Sequence, residues 1–115
     1  MRQNLIVDKS FDFSLRIIEL YKELHAKNEY VLSKQLLRSG TSIGANVREG
    51  VVSQSKKEFI AKLNIALKEA HETDYWLALL SKSGYLSHDD CPIKDIDELI
   101  KILTAIIKTS NQNTN

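Results

Sequence analysis

A chain of 115 residues with 43% hydrophobic and 27% charged side chains has the size and composition of one compact domain, which excludes a disordered polymer. Four glycines and one proline are too few breakers for a many-turned β-sandwich, and the longest apolar run, Tyr75 to Leu80, is far shorter than the roughly 18 residues of a membrane span. A formal charge of +1, from 16 basic against 15 acidic residues, announces neither a nucleic acid nor an acidic partner.

Apolar residues recur at helical spacing in four blocks. In the first, Phe11 to Lys27, the residues Phe13, Ile17, Leu20 and Leu24 make one apolar face, and Ser10 is placed to cap the start. A break at Asn28 and Glu29 leads to the second block, Tyr30 to Val52. Here Leu32, Leu36, Ser39, Ile43, Asn46 and Gly50 hold a seven-residue repeat of mixed polarity. The third block opens at Ser55-Lys56-Lys57-Glu58, which has the spacing of a capping box, and runs to about Ser83, with Gly84 as its stop. Its stripe is Phe59, Leu63, Ala66, Ala70 and Leu77. Asp89-Asp90-Cys91-Pro92 opens the fourth block, whose apolar side is Ile93, Ile96, Leu99, Ile100, Leu103, Ile106 and Ile107. Short connections force neighbouring helices antiparallel, so the expected fold is an all-α, up-down-up-down four-helix bundle over residues 1–110, with 111–115 as a disordered tail.

The second block holds three of the four glycines, although each costs a helix interior about 1 kcal/mol relative to alanine. A phosphate cradle is disfavoured because no Gly-Lys-Ser/Thr ending and no preceding strand are present. Close helix approach over Ser39, Gly40, Ser42, Gly44 and Ala45 is the expected reason. Gln35, Arg38, Ser42, Asn46 and Glu49 border the seam of this helix, as Glu69, Glu72 and Trp76 border that of the third. They predict a structural polar layer in which Arg38 meets a carboxylate, and breaking such a pair, if buried, would cost about 3–5 kcal/mol.

No metal site and no cofactor are expected, because the Glu-x-x-His pairs of carboxylate-bridged di-metal bundles are missing: Lys22, Lys68 and Tyr85 stand three residues before His25, His71 and His88. Cys91 beside Pro92 and near His88 lacks a third group to orient a base, so it reads as a small helix-start thiol and not a nucleophile. The single cysteine, and a start at Met1-Arg2-Gln3-Asn4 without an apolar leader, make a reducing cytoplasm the expected compartment, with no membrane partner. Charge is uneven, however. Residues 30–57 carry five basic side chains against Glu49 alone, a net +4, leaving −3 for the rest. Lys34, Arg48, Lys56 and Lys57 are the candidate nucleic-acid contacts.

The run Gln35-Leu36-x-Arg38-x-x-x-Ser42-Ile43-x-x-Asn46-x-x-Glu49-Gly50, then Ser55-Lys-Lys-Glu-Phe59, then Ile65-Ala66-Leu67-Lys68-Glu69-Ala70-x-Glu72-x-x-Tyr75-Trp76-Leu77, resembles the bacterial four-helix-bundle family encoded in intervening sequences of 23S ribosomal RNA genes, the S23-like proteins. A branch of that family accompanies diversity-generating retroelements. The resemblance covers nearly the whole chain. It implies a ring-like homopentamer with a basic surface that, in the retroelement branch, engages nucleic acid and a reverse transcriptase. The near-neutral charge departs from that branch. The reading is a non-enzymatic, oligomeric helical bundle that binds structured RNA or a ribonucleoprotein weakly, with no small-molecule substrate. The alternative is a pure protein-interaction scaffold, in which an apolar face such as Tyr75 with Leu79, or Phe11 with Leu15, mediates self-assembly.

Overall fold

In the computed structural model, which describes residues 2–112 and side chains from residue 5 onward, four helices follow one another: α1 (Arg2–Ala26), α2 (Leu32–Val51), α3 (Lys56–Lys82) and α4 (Ile93–Gln112). Among the described residues there is no strand, and no helix is long and apolar enough to cross a membrane. The helices form an all-α, up-down-up-down bundle measuring 51 × 20 × 20 Å. Each packs against its two neighbours around a square, α2 with α3 most extensively and α1 with α4 least.

Three of the four sequence blocks keep close to their expected bounds. The first does not: α1 begins at Arg2, and Ser10 lies inside it, buried, its hydroxyl donating to the Val7 carbonyl instead of capping. The physical reason is Ile6, buried like Phe13, Ile17, Leu20 and Leu24 and set two helical turns before Phe13, so the apolar face starts earlier than expected. At the other end α4 continues through Gln112, and the rest of the expected tail, 113–115, lies outside the described residues.

The seam of α2 is shifted as well. Its buried residues are Ser33, Leu36, Ser39, Gly40, Ile43, Val47 and Gly50, whereas Leu32 and Asn46 are only half-buried. Gly40 explains the rotation. A Cβ there would stand 2.8 Å from Cγ1 of buried Ile17, so the missing side chain lets α1 sink onto α2. One turn on, a Cβ at Gly44 would stand 3.2 Å from the Ser10 carbonyl oxygen, so the contact reaches backbone. The expectation of close helix approach matches this geometry.

The ends of the helices are built by different chemistry. Two residues past the end of α1, Asn28 takes the left-handed φ of 64° that asparagine tolerates better than most residues. Glu29 then folds back, buried, and its carboxylate accepts from the amides of Ser33 (2.6 Å), Leu32 (3.0 Å) and Val31 (3.3 Å). These are amides left free at the start of α2, so one side chain satisfies what a serine or aspartate cap usually would. At α3 the Ser55 hydroxyl accepts from the Glu58 amide at 3.1 Å, as the capping-box spacing predicts. Gly84, at φ 89°, ends α3.

Burial pushes the Glu29 carboxyl up, but its amide partners outweigh that and hold it below the usual carboxylate range. Glu29 therefore adds stability that is present above the ordinary glutamate pKa of about 4.3 and is lost as pH falls through the lower, folded value. In urea titrations Glu29→Gln is expected to lower stability by about 1 kcal/mol at neutral pH and to flatten the acid limb. Gly40→Ala is expected to cost about 1–3 kcal/mol by overpacking against β-branched Ile17. Gly50→Ala, which meets one atom closer than 3.0 Å, the terminal Cδ1 of Leu63 at 2.9 Å, where Gly40→Ala meets two, is expected to cost less, and paired thermal melts check the order.

Candidate nucleic-acid interface

The four candidate cations do not form one cluster. Lys34 lies near the start of α2 and Arg48 near its end, 14 residues and about 21 Å apart but on one exposed face. Lys56 and Lys57 are the first two residues of α3, across the α2–α3 turn from Arg48. All four are exposed. Lys34, Arg48 and Lys57 make no ion pair with a described carboxylate, unlike Lys9 with Glu98 or Lys62 with Glu49. The Arg48 guanidinium lies 5.7 Å from the centre of the Phe11 ring, a cation–π contact that fixes the side chain against α1.

The α2–α3 turn is the more informative end. Lys56 and Lys57 occupy the first turn of α3, where the helix macrodipole is positive and favours acids; only Glu58 supplies one. Beside them a polar depression of about 300 Å³ is walled by Gly50, Ser53, Ser55, Lys56, Phe59 and Ser110. Two lysines at the positive end of a helix work against folding and in favour of an anion in solution.

The expected polar layer assembles differently. Gln35, Ser42, Asn46 and Glu69 are half-buried, whereas Arg38, Glu49 and Glu72 are exposed, along the outer groove between α2 and α3. Most of their bonds run along their own helices. The Ser42 hydroxyl donates to the Arg38 carbonyl (2.6 Å), the Asn46 amide to the Ser42 carbonyl (2.9 Å) and the Trp76 indole N–H to Glu72 (3.0 Å). Glu49 pairs across the groove with Lys62 at 2.8 Å. The pairing of Arg38 with Glu69 or Glu72 is not formed, which corrects that expectation. Arg38 projects outward from α2, near enough only to pull the Glu69 carboxyl down slightly. Burial, with Glu72 next, still leaves that carboxyl above the usual carboxylate range.

The polar bond that does join these helices inside the core is one between hydroxyls. Ser39 and Thr73, both buried, hydrogen-bond at 2.9 Å, and Thr73 also reaches the Glu69 carbonyl at 2.8 Å. Sequence reading placed Ser39 on the seam and missed Thr73, although Thr73 falls at helical spacing between Ala70 and Leu77. Glu29 was missed because glutamate is not a favoured cap. Cys91 is buried, its thiol donating to the Leu77 carbonyl at 3.7 Å, and burial pushes that thiol up, away from the thiolate a nucleophile requires. Among the described residues no three His, Cys, Asp or Glu side chains gather as a metal-binding group.

A model of the 23S rRNA-intervening sequence proteins matches residues 2–108. The chain belongs to that family. It is also similar to a crystal structure from Bacteroides thetaiotaomicron, described as a protein of unknown function from the S23 ribosomal protein family. The two chains share 51% identity, the match covers 94% of this chain and 99% of the other, and the TM-score is 0.91. A comparison with curated proteins finds no match.

Because Arg38 spans no buried pair, Arg38→Ala is expected to leave stability within about 0.5 kcal/mol of the parent. Thr73→Val, which leaves the buried Ser39 hydroxyl only its long bond to the Leu36 carbonyl at 3.5 Å, is expected to cost about 1–3 kcal/mol. Chemical denaturation of the two variants side by side distinguishes a surface groove from a buried polar layer.

Proposed function

We propose that this protein is a non-enzymatic, self-associating helical bundle of the cytoplasm that binds structured RNA or a ribonucleoprotein weakly. Lys56 and Lys57 are the centre of the contact, Arg48 flanks it, and Lys34 contributes from farther along α2. The observation that carries this reading is the lysine pair in the first turn of α3 beside a polar depression, an arrangement that opposes the helix dipole and suits a phosphate. The family's name places its genes within ribosomal RNA, which supports a ribosomal RNA fragment as the first ligand to test. Five copies, as the family resemblance implies, would repeat a weak contact and strengthen it by avidity.

A scaffold without nucleic-acid binding is the second reading. It is favoured by the exposure of Phe11 and Leu15 on α1 and of Tyr75 and Leu79 on α3, apolar side chains that a monomer leaves in water.

Salt-titrated binding to ribosomal RNA fragments separates the two. The expected outcome is a measurable affinity that falls with salt, and a logarithmic slope that shrinks by roughly 1.5 in the double variant Lys56→Ala/Lys57→Ala. The same variant is expected to melt slightly higher, since it relieves the helix dipole. An affinity indifferent to salt and to those lysines would overturn the RNA reading and leave the scaffold.

A further inference from the structure

The turn between α1 and α2 gathers three aromatic rings. Tyr21 and His25, one helical turn apart on α1, have ring centres 4.3 Å apart at a tilt of 45°, and Tyr30, just before α2, meets His25 edge to face at 5.0 Å. The backbone holds this arrangement in place. Asn28 turns the chain through its left-handed φ, Glu29 anchors the start of α2, and the Tyr30 hydroxyl donates to the Asn28 side-chain oxygen at 2.7 Å. Tyr21 and His25 are half-buried, whereas Tyr30 is 53% exposed. A held ring therefore keeps more than half of its surface in water.

Charge around the rings is one-sided. α1 and α2 are antiparallel, with Gly40 against Ile17 and Arg48 over Phe11, so Lys34 is level with the stretch from Lys22 to His25. Lys22 lies one turn before His25 on the outer side of α1. Both lysines are exposed, and neither makes an ion pair among the described residues. The acids close in sequence are engaged elsewhere: Glu29 is buried on its three amides, and Glu19 and Glu23 face Arg16 at 3.7 and 4.0 Å. Lys27 is engaged too, donating to the Tyr85 carbonyl at 2.7 Å.

A ligand that suits this patch carries a flat aromatic ring with negative charge a few bonds away. An unpaired nucleotide has both, whereas a duplex keeps its bases stacked inside and offers phosphate alone. An acidic peptide would use the lysines and leave the rings idle. We propose that the Tyr21–His25–Tyr30 cluster is a second RNA contact, taking one unpaired base stacked on the Tyr30 ring while Lys22 and Lys34 hold the flanking phosphates. This rests on the RNA reading above and adds a single-stranded element to it. The cluster and the Lys56–Lys57 pair lie at opposite ends of a bundle 51 Å long, so an RNA that uses both presents its unpaired base well apart from the phosphates that meet the lysine pair.

Fluorescence anisotropy tests the proposal with three probes: an oligoribonucleotide of about ten residues, the same strand with abasic sugars, and an RNA duplex. Circular dichroism checks that each variant folds. The base-bearing strand is expected to bind at least about fivefold more tightly than the abasic one. Tyr30→Leu is expected to remove that advantage, Tyr30→Phe, which keeps the ring, to retain it, and both to leave duplex affinity unchanged. Lys34→Ala is expected to keep the advantage while reducing the logarithmic salt slope for the single strand by roughly 0.7. Equal affinity for the base-bearing and abasic strands, or an advantage that survives Tyr30→Leu, overturns the stacking site; duplex binding that still depends on Lys56 and Lys57 then leaves the RNA reading standing. Absence of binding to all three probes removes both.

Discussion

The seating of Ile17 of α1 on Gly40 of α2 is the contact on which the rest of the molecule depends. With no Cβ at Gly40, and with Gly44 set against the Ser10 backbone, the two helices approach more closely than side chains at those positions would allow. That approach rotates α2 so that Ser33, Gly40 and Val47 share its buried side with Leu36, Ile43 and Gly50. The rotation turns Ser39 toward Thr73 of α3, and it sends Arg38 outward, away from the carboxylates of α3. The glycines weaken α2 as an isolated helix, and dense packing against Ile17 and Leu63 offsets that weakness once the bundle forms.

The same rotation distributes charge. Arg48 rests on Phe11, Glu49 faces Lys62 across the groove with α3, and Lys56 and Lys57 precede Glu58, the one acid in the first turn of α3. A chain of nearly zero net charge thus keeps a locally cationic end.

Periodicity carried most of the fold. Long apolar stripes, the Ser55–Glu58 cap and the Gly84 stop are local signals, written within one or two helical turns, and the structure follows them. The start of α1 was less legible, since Ser10 has the chemistry of a cap and only the burial of Ile6 shows that the helix is already under way. Glu29 was illegible for a related reason. Its role depends on a left-handed Asn28 turning the chain back over the end of α2, and no residue type in that stretch announces it.

Of the expected polar layer, the residues bordering the groove between α2 and α3 could be read, but not which of them bond to one another. Sequence by itself determined four amphipathic helices, their antiparallel order and the presence of small residues where two of them meet, because these depend on spacing along the chain. Only the tertiary structure decided that Arg38 lacks an ion pair and that Ser39 finds Thr73. Those outcomes turn on the rotation of each helix about its own axis, which is set by how side chains on two helices interlock and is not contained in the periodicity of either one.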